Sequence, residues 1–267
     1  MPADNGSVAG EAYELACDGV ARDSHPARQW PPRPLRFAAN LRGLALQRAV
    51  GTSRAILPAM YDQVIDGLRQ AYDRSAAERD AGGLAGWKIA ARAGFLARLQ
   101  AEGKRTLLEI GGGPGHFAAF FRDAGLDVVM TDLSPAMVRL AQAKGLDARV
   151  MDFLSLDFPP ASFDAVFALN CLLHVPSADL PRVLAAIHRL LRPNGLFFYG
   201  VYGGHSFEGI WPEDQHDPQR YFVFYPDDEL RRLVSGLFDE VSFRAIPVEG
   251  ETESHFQELI LRPKERA

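Results

Sequence analysis

Apolar residues recur along this chain in two periods, and the change from one to the other divides it. Between residues 41 and 72 they fall at every fourth position, at Ile56, Met60, Val64 and Leu68, which is the spacing of one helix face. Pro58 lies near the start of that helix, where a missing N–H costs nothing. A polar stretch from Asp73 to Gly83 reads as a break, and Leu84, Trp87, Ala91, Phe95 and Leu99 then mark a second helix. From residue 106 short apolar runs alternate with helical segments. The runs predict strands at 106–110, 127–132, 148–152, 163–169 and 196–201, separated by helices at 117–124, 135–144 and 178–191. The run at 163–169 is continuous rather than alternating, as expected of a strand covered on both faces. Strands and helices in this alternation predict an α/β domain with a doubly wound, mostly parallel sheet. The end of the chain differs. After a helix at 227–235, strands at 240–246 and 255–261 are joined by a polar turn at 249–254, and two strands without an intervening helix pair antiparallel.

This pattern gives three parts. Residues 1–40 are small, polar and proline-rich, a disordered or loosely packed tail. Residues 41–100 form a helical lid, and 101–267 form the α/β domain, with an individual insertion at 202–225. Composition leaves that picture intact: 267 residues, 47% hydrophobic and 24% charged, suit one core with a modest appendage. A net charge of −5 argues against a broad nucleic-acid surface. Cys17 and Cys171 lie too far apart in the sequence for a metal-ligand spacing, so no metal is expected. The absence of a long apolar run or a leader pattern points to a cytoplasmic protein that does not engage a membrane. The oligomeric state stays open.

Candidate chemistry concentrates in the stretch from Thr106 to Phe117, a buried strand, a glycine turn and the opening of a helix. Gly111, Gly112, Gly113 and Gly115 allow positive φ and close approach of a ligand. The dinucleotide fingerprint would need glycine where His116 stands, and the Gly-Lys-Ser/Thr ending of a phosphate loop is missing. Glu109, two residues before the first glycine, would repel a pyrophosphate and suits a cationic ligand. Asp132 ends the second strand, where a carboxylate can accept from ribose hydroxyls across the crevice. Its alternative role, capping the helix that starts at Pro135, is better filled by Ser134.

The run Glu109-Ile110-Gly111-Gly112-Gly113-Pro114-Gly115 resembles the first motif, E/D-x-G-x-G-x-G, of the class I S-adenosylmethionine-dependent methyltransferases. The resemblance implies a Rossmann-like seven-stranded sheet, S-adenosylmethionine as cofactor and S-adenosylhomocysteine as product. It implies that Leu133 and Met137 flank the adenine, and that Asp152 and Phe153 meet its amino edge. It further implies that Asn170 and Cys171 lie beside the transferable methyl group, and that the lid brings Tyr72 and Trp87 to the pocket, although aromatics on a helical stripe are also ordinary core. His174 is a candidate general base or a packing residue. The N/D-P-P-Y/F signature of enzymes that methylate planar amide or adenine nitrogens is absent.

The 202–225 insertion reads as a substrate-facing loop carrying His205, Trp211, Phe222 and Tyr225, or as a surface excursion packed on the lid. The expected activity is methyl transfer to an O, N or C nucleophile of a small-molecule acceptor. An RNA or protein acceptor, favoured by Arg42, Arg48, Arg54, Arg69 and Arg74 in the lid, is the alternative, and a non-catalytic cofactor-binding partner protein is the second.

Overall fold

The structure, a computed structural model, describes residues 60–248 and 254–265. The tail expected over 1–40, the first part of the lid and most of the 249–254 turn lie outside these residues. Two lid helices open the described chain, α1 (Met60–Ala81) and α2 (Gly86–Ala101). Five parallel strands follow: β1 (Thr106–Ile110), β2 (Asp127–Asp132), β3 (Asp147–Val150), β4 (Phe163–Leu169) and β5 (Leu191–Gly203). They are joined by α3 (His116–Asp123), α4 (Pro135–Ala143) and α5 (Leu180–Leu190). After β6 (Phe207–Ile210), β7 (Tyr221–Phe224) and α6 (Asp227–Val234), the strands β8 (Phe238–Pro247) and β9 (His255–Pro263) complete a seven-stranded sheet in the order β3-β2-β1-β4-β5-β9-β8. Strand β9 is antiparallel to both of its neighbours, as the missing helix between the last two strands requires.

The apolar runs of the central strands are explained by burial on both faces. In β4, Val166 and Ala168 meet Val183, Leu184 and Ile187 of α5, whereas Ala165 and Phe167 join Phe95 of α2 and Phe121 of α3. In β5, Phe197 and Tyr199 point to the first cluster and Leu196 and Phe198 to the second. The Phe167 and Phe198 rings stack at 4.5 Å.

Two expectations about the lid and the insertion are corrected. The first helix does not break at Asp73; it continues to Ala81, with Ala76 buried on its inner side. Two of the polar residues there, Asp73 and Asp80, face α4 instead. The Asp73 carboxylate accepts from the Ser134 hydroxyl and, at 3.0 Å, from the backbone N–H of Ala136, and Asp80 pairs with Lys144 at 2.5 Å. The first Gly pair, Gly82-Gly83, is where the helix actually ends. The insertion is not a loop. Residues 207–210 and 221–224 pair as an antiparallel hairpin, β6 with β7, apart from the main sheet.

Strand β1 has β2 on one side and β4 on the other, so the loops that leave β1 and β4 diverge between them. A crevice at such a switch point, outside the carboxyl ends of the strands, is where an open α/β sheet accepts ligands.

Candidate functional site

A cavity of about 370 Å³ occupies that crevice, walled by the strand ends below, the lid helices above and the edge of the hairpin. Its floor is the glycine turn. Gly111, Gly113 and Gly115 take φ of 63°, 57° and 86°. A Cβ on Gly111 would strike the Cys171 side chain, whereas one on Gly113 would meet nothing within 4 Å. Gly115 faces away from the cavity, packed against Leu146 and Ala141. Asp132 holds the turn in place: its Oδ2 accepts from the N–H of Gly113 and its Oδ1 from that of Ser134, both at 2.8 Å. Burial raises the Asp132 pKa, and these two N–H groups oppose the rise. The Ser134 hydroxyl accepts from the Met137 N–H at 3.1 Å, so the helix cap is Ser134.

Glu109 is 2% exposed, and burial pushes its carboxyl pKa well up; the N–H of Ala118 opposes that. Its Oε2 has no hydrogen-bond partner. Asn170 takes the left-handed conformation at φ 53°, and its Oδ1 is likewise buried without a donor. Both residues line the cavity. Two orphaned acceptors, one carrying a carboxylate, create a place for a cationic donor such as the ammonium of an amino acid. Leu133, Met137 and Phe153 line the same cavity further along the strand ends. Cys171 is buried behind Gly111, donates to the Ile110 carbonyl at 3.2 Å, and has its thiol pKa pushed up by burial.

The opposite wall is a closed polar network. His174, 4% exposed, approaches the Tyr221 carbonyl with Nδ1 at 2.7 Å. A carbonyl only accepts, so Nδ1 carries the proton and Nε2 is the acceptor. Tyr72 donates its hydroxyl to Nε2 at 2.5 Å, and Arg220 Nη1 donates to the Tyr72 oxygen at 3.1 Å. Arg220, 4% exposed, is held by both oxygens of Asp214 at 2.8 and 2.9 Å, and Asp214 also accepts from His216 at 3.1 Å. Burial, and after it the Arg220 charge, hold the His174 pKa down to about 3, so the imidazole is neutral at physiological pH. Tyr72, His174 and His216 line the cavity. Among the described residues no group of three or more His, Cys, Asp or Glu is placed to hold a metal ion, and no helix is long and apolar enough to cross a membrane.

Residues 108–199 match the family model described as a methyltransferase domain. The structure is similar to that of the 1,6-didemethyltoxoflavin-N1-methyltransferase of Burkholderia thailandensis, solved with 1,6-didemethyltoxoflavin and S-adenosylhomocysteine bound. That likeness has a TM-score of 0.60 and 27% identity, and covers 84% of this chain and 99% of that one. Residues 108–199 thus carry a methyltransferase domain. An uncharacterized methyltransferase of Mycobacterium sp. (strain KMS) is 34% identical over 112 residues, 39% of this chain and 44% of that protein. The match thus spans under half of that relative's length. A malonyl-[acyl-carrier protein] O-methyltransferase of Serratia marcescens is 26% identical over 180 residues, 65% of this chain and 68% of that one.

Not every expected residue of the methyltransferase domain reaches the cavity. Trp87 turns to the sheet, 4.2 Å from the Phe256 ring and 5.8 Å from that of Tyr202; its neighbour Lys88 lines the cavity instead. Asp152 does not line it, and its Oδ1 accepts from the N–H groups of Leu154 and Ser155 in its own turn. His205, Trp211, Phe222 and Tyr225 are also outside the lining. The hairpin buries its aromatics against one another: Trp211 lies 4.8 Å from Phe207 and 5.6 Å from Phe224, His205 lies 5.3 Å from Phe224, and Tyr225 and Phe222 belong to the core. What the hairpin does contribute is His216 at the cavity and the Asp214–Arg220 pair behind Tyr72, which the sequence pattern did not single out as a pair. Their available signal was an acid and a base, six positions apart, embedded in an aromatic stretch.

Proposed function

We propose that the protein transfers a methyl group from S-adenosylmethionine to an O, N or C nucleophile of a small-molecule acceptor. The observation that carries the reading is the pair of orphaned acceptors, Glu109 Oε2 and Asn170 Oδ1, in residues that line a partly enclosed cavity on the glycine turn. When bound, the cofactor supplies a methyl group on a sulfonium, an electrophile that needs no acid, only an aligned nucleophile in a dry site. Glu109 and Asn170 would hold the methionine ammonium. The lone pairs that Asp132 does not spend on Gly113 and Ser134 would meet the ribose, and Leu133, Met137 and Phe153 would wall the adenine.

The role of orienting the acceptor is assigned to Tyr72 rather than to His174. Both ring nitrogens of His174 are committed, and its buried imidazole resists a second proton. The Tyr72 oxygen keeps a lone pair beyond the one that receives Arg220, and it lines the cavity. It would accept a hydrogen bond from the O–H or N–H of the acceptor and so orient that atom toward the methyl group. His174 is then a positioning residue for Tyr72. A cavity roofed by α1 and α2 suits a small acceptor, and a small acceptor is also what the name of the Burkholderia enzyme states for that protein.

Two measurements test this. Titration calorimetry on the purified chain should show S-adenosylhomocysteine binding, and methyl-labelled cofactor should label the small-molecule fraction of a cell extract. Label found only in RNA or protein would overturn the acceptor class; no binding of S-adenosylhomocysteine would overturn the whole reading.

A further inference from the structure

We propose that Arg79 and Lys88 form a two-cation clamp, in the lid wall of the cavity, for the oxyanion of a carboxylate or phosphate. Arg79 is in the last turn of α1 and Lys88 in the first turns of α2, on either side of the Gly82-Gly83 connection, and both line the cavity. The Arg79 guanidinium lies 5.0 Å from the centre of the Tyr72 ring, and the Lys88 ammonium 5.3 Å from that of Trp87. Among the described residues, neither reaches a carboxylate or a carbonyl within hydrogen-bonding distance.

Elsewhere on α1 cations are paired, Arg69 with Asp66 at 3.0 Å and Arg74 with Asp217 at 2.5 Å. The acids that face Arg79 and Lys88 are otherwise occupied. Asp132 is bonded to Gly113 and Ser134, Asp80 to Lys144, and Glu78, which also lines the cavity, has an interaction of its own. Two like charges gathered at one partly enclosed place repel each other, and burial together with the Arg79 charge brings the Lys88 pKa down to about 8. An oxyanion between them would remove both costs.

The anion has two possible sources. One is the methionine carboxylate of the cofactor, a source that rests on the function proposed above; the other is an acidic acceptor. Nuclear magnetic resonance of the ¹³C-methylated lysines reads the clamp directly, with Lys88→Arg assigning the signal. Titrations are run on the free chain, with inorganic phosphate alone, with S-adenosylhomocysteine, and with S-adenosylhomocysteine plus inorganic phosphate. A rise of about one unit in the Lys88 pKa on adding S-adenosylhomocysteine assigns the clamp to the cofactor. A rise only when phosphate is added assigns it to the acceptor, and no rise with either overturns the proposal.

Arg79→Ala supplies the second readout. It should weaken whichever ligand moves Lys88 by about tenfold or more, and leave 5′-methylthioadenosine, which has no carboxylate, within about threefold. Equal loss of both would mean a structural defect and overturn the clamp. If the wild type binds neither nucleoside, the methyltransferase reading fails, while phosphate still reports on Arg79 and Lys88.

Discussion

The two walls of the cavity treat their polar groups in opposite ways. At the strand ends, Glu109 and Asn170 keep buried oxygens without donors. Across the cavity, Tyr72, His174, Arg220 and Asp214 hold one another in place before any ligand arrives. A buried acceptor left unpaired costs about 1–3 kcal/mol, so the first wall holds back stability that a matching ligand would restore. The second wall spends its hydrogen bonds on geometry, fixing one tautomer of His174 and one direction of the Tyr72 hydroxyl. The first is built to be completed; the second is built to be in position already.

Breaking the second wall should cost the most. Arg220→Met strips the guanidinium from the buried Asp214 carboxylate, leaving it only His216 and one backbone N–H, and should lower unfolding stability by about 3–5 kcal/mol in denaturant titrations. Adding Asp214→Leu to that variant should recover most of the loss, since an apolar pair replaces an ion pair far better than half of one does. If the single and double variants were equally unstable, the network would matter for packing and not for its charges.

The turn beneath the first wall offers a sharper contrast, between two glycines two positions apart. Gly111→Ala combines a φ of 63° with a collision against Cys171, and should cost about 2–4 kcal/mol of stability. Gly113→Ala has a similar φ but open space ahead of its Cβ, and should cost only about 1–2 kcal/mol. Its methyl group projects where a ligand would approach, so its main effect should be on S-adenosylhomocysteine affinity, measured by calorimetry. Equal stability losses in the two variants would show that the turn is not held against Cys171 in solution.

The first wall was far more legible in the sequence than the second. Glu109, the glycines and Asp132 sit within one strand–turn–helix and its neighbouring strand, so short-range spacing places them. The alternating strands gave the sheet, including its antiparallel end, because burial on two faces writes itself as continuous apolar runs such as 163–169. The second wall joins Tyr72 to Arg220 across 148 positions, and no local period records such a contact. The same limit misplaced Trp87, whose stripe was read correctly as helical but whose partner, Phe256, lies at the far end of the chain. Asp73 to Ala81 read as a break because its polar residues look solvent-facing until α4 is set beside them. Aromatics in the insertion suggested a ligand surface, and the hairpin used them for its own small core.

Acid should separate the walls by the sign of its effect. The His174 pKa in the folded chain is about 3, below the ordinary unfolded value of about 6.5, so between those limits the unfolded chain binds the extra proton. The stabilising contribution is complete above about pH 6.5 and is lost as pH falls toward 3, at up to about 1.4 kcal/mol per pH unit. From pH 6.5 to 5 that amounts to about 2 kcal/mol, and His174→Gln should flatten this part of the stability profile by the same amount. An unchanged acid limb would mean that the native chain protonates His174 as readily as the unfolded chain does.

The smallest expected effect on stability concerns Glu109, and its sign is opposite. Burial raises the Glu109 pKa above that of the unfolded chain, so over that window the folded form holds the extra proton and stability falls as pH rises. Glu109→Gln removes the charge and keeps the side chain's shape. The ligand-free variant should therefore be more stable than the wild type at neutral pH by about 1 kcal/mol, seen as a higher melting temperature. Binding should move the other way. An ammonium brought to the wild-type carboxyl favours its ionised form, so S-adenosylhomocysteine should release a proton on binding, detected as a dependence of the calorimetric heat on the buffer's ionisation enthalpy. The variant should lose that buffer dependence and bind about tenfold more weakly. A variant both more stable and equally tight would show that the orphaned oxygen is not a ligand's partner, and the contrast between a wall awaiting its ligand and a wall already complete would fall with it.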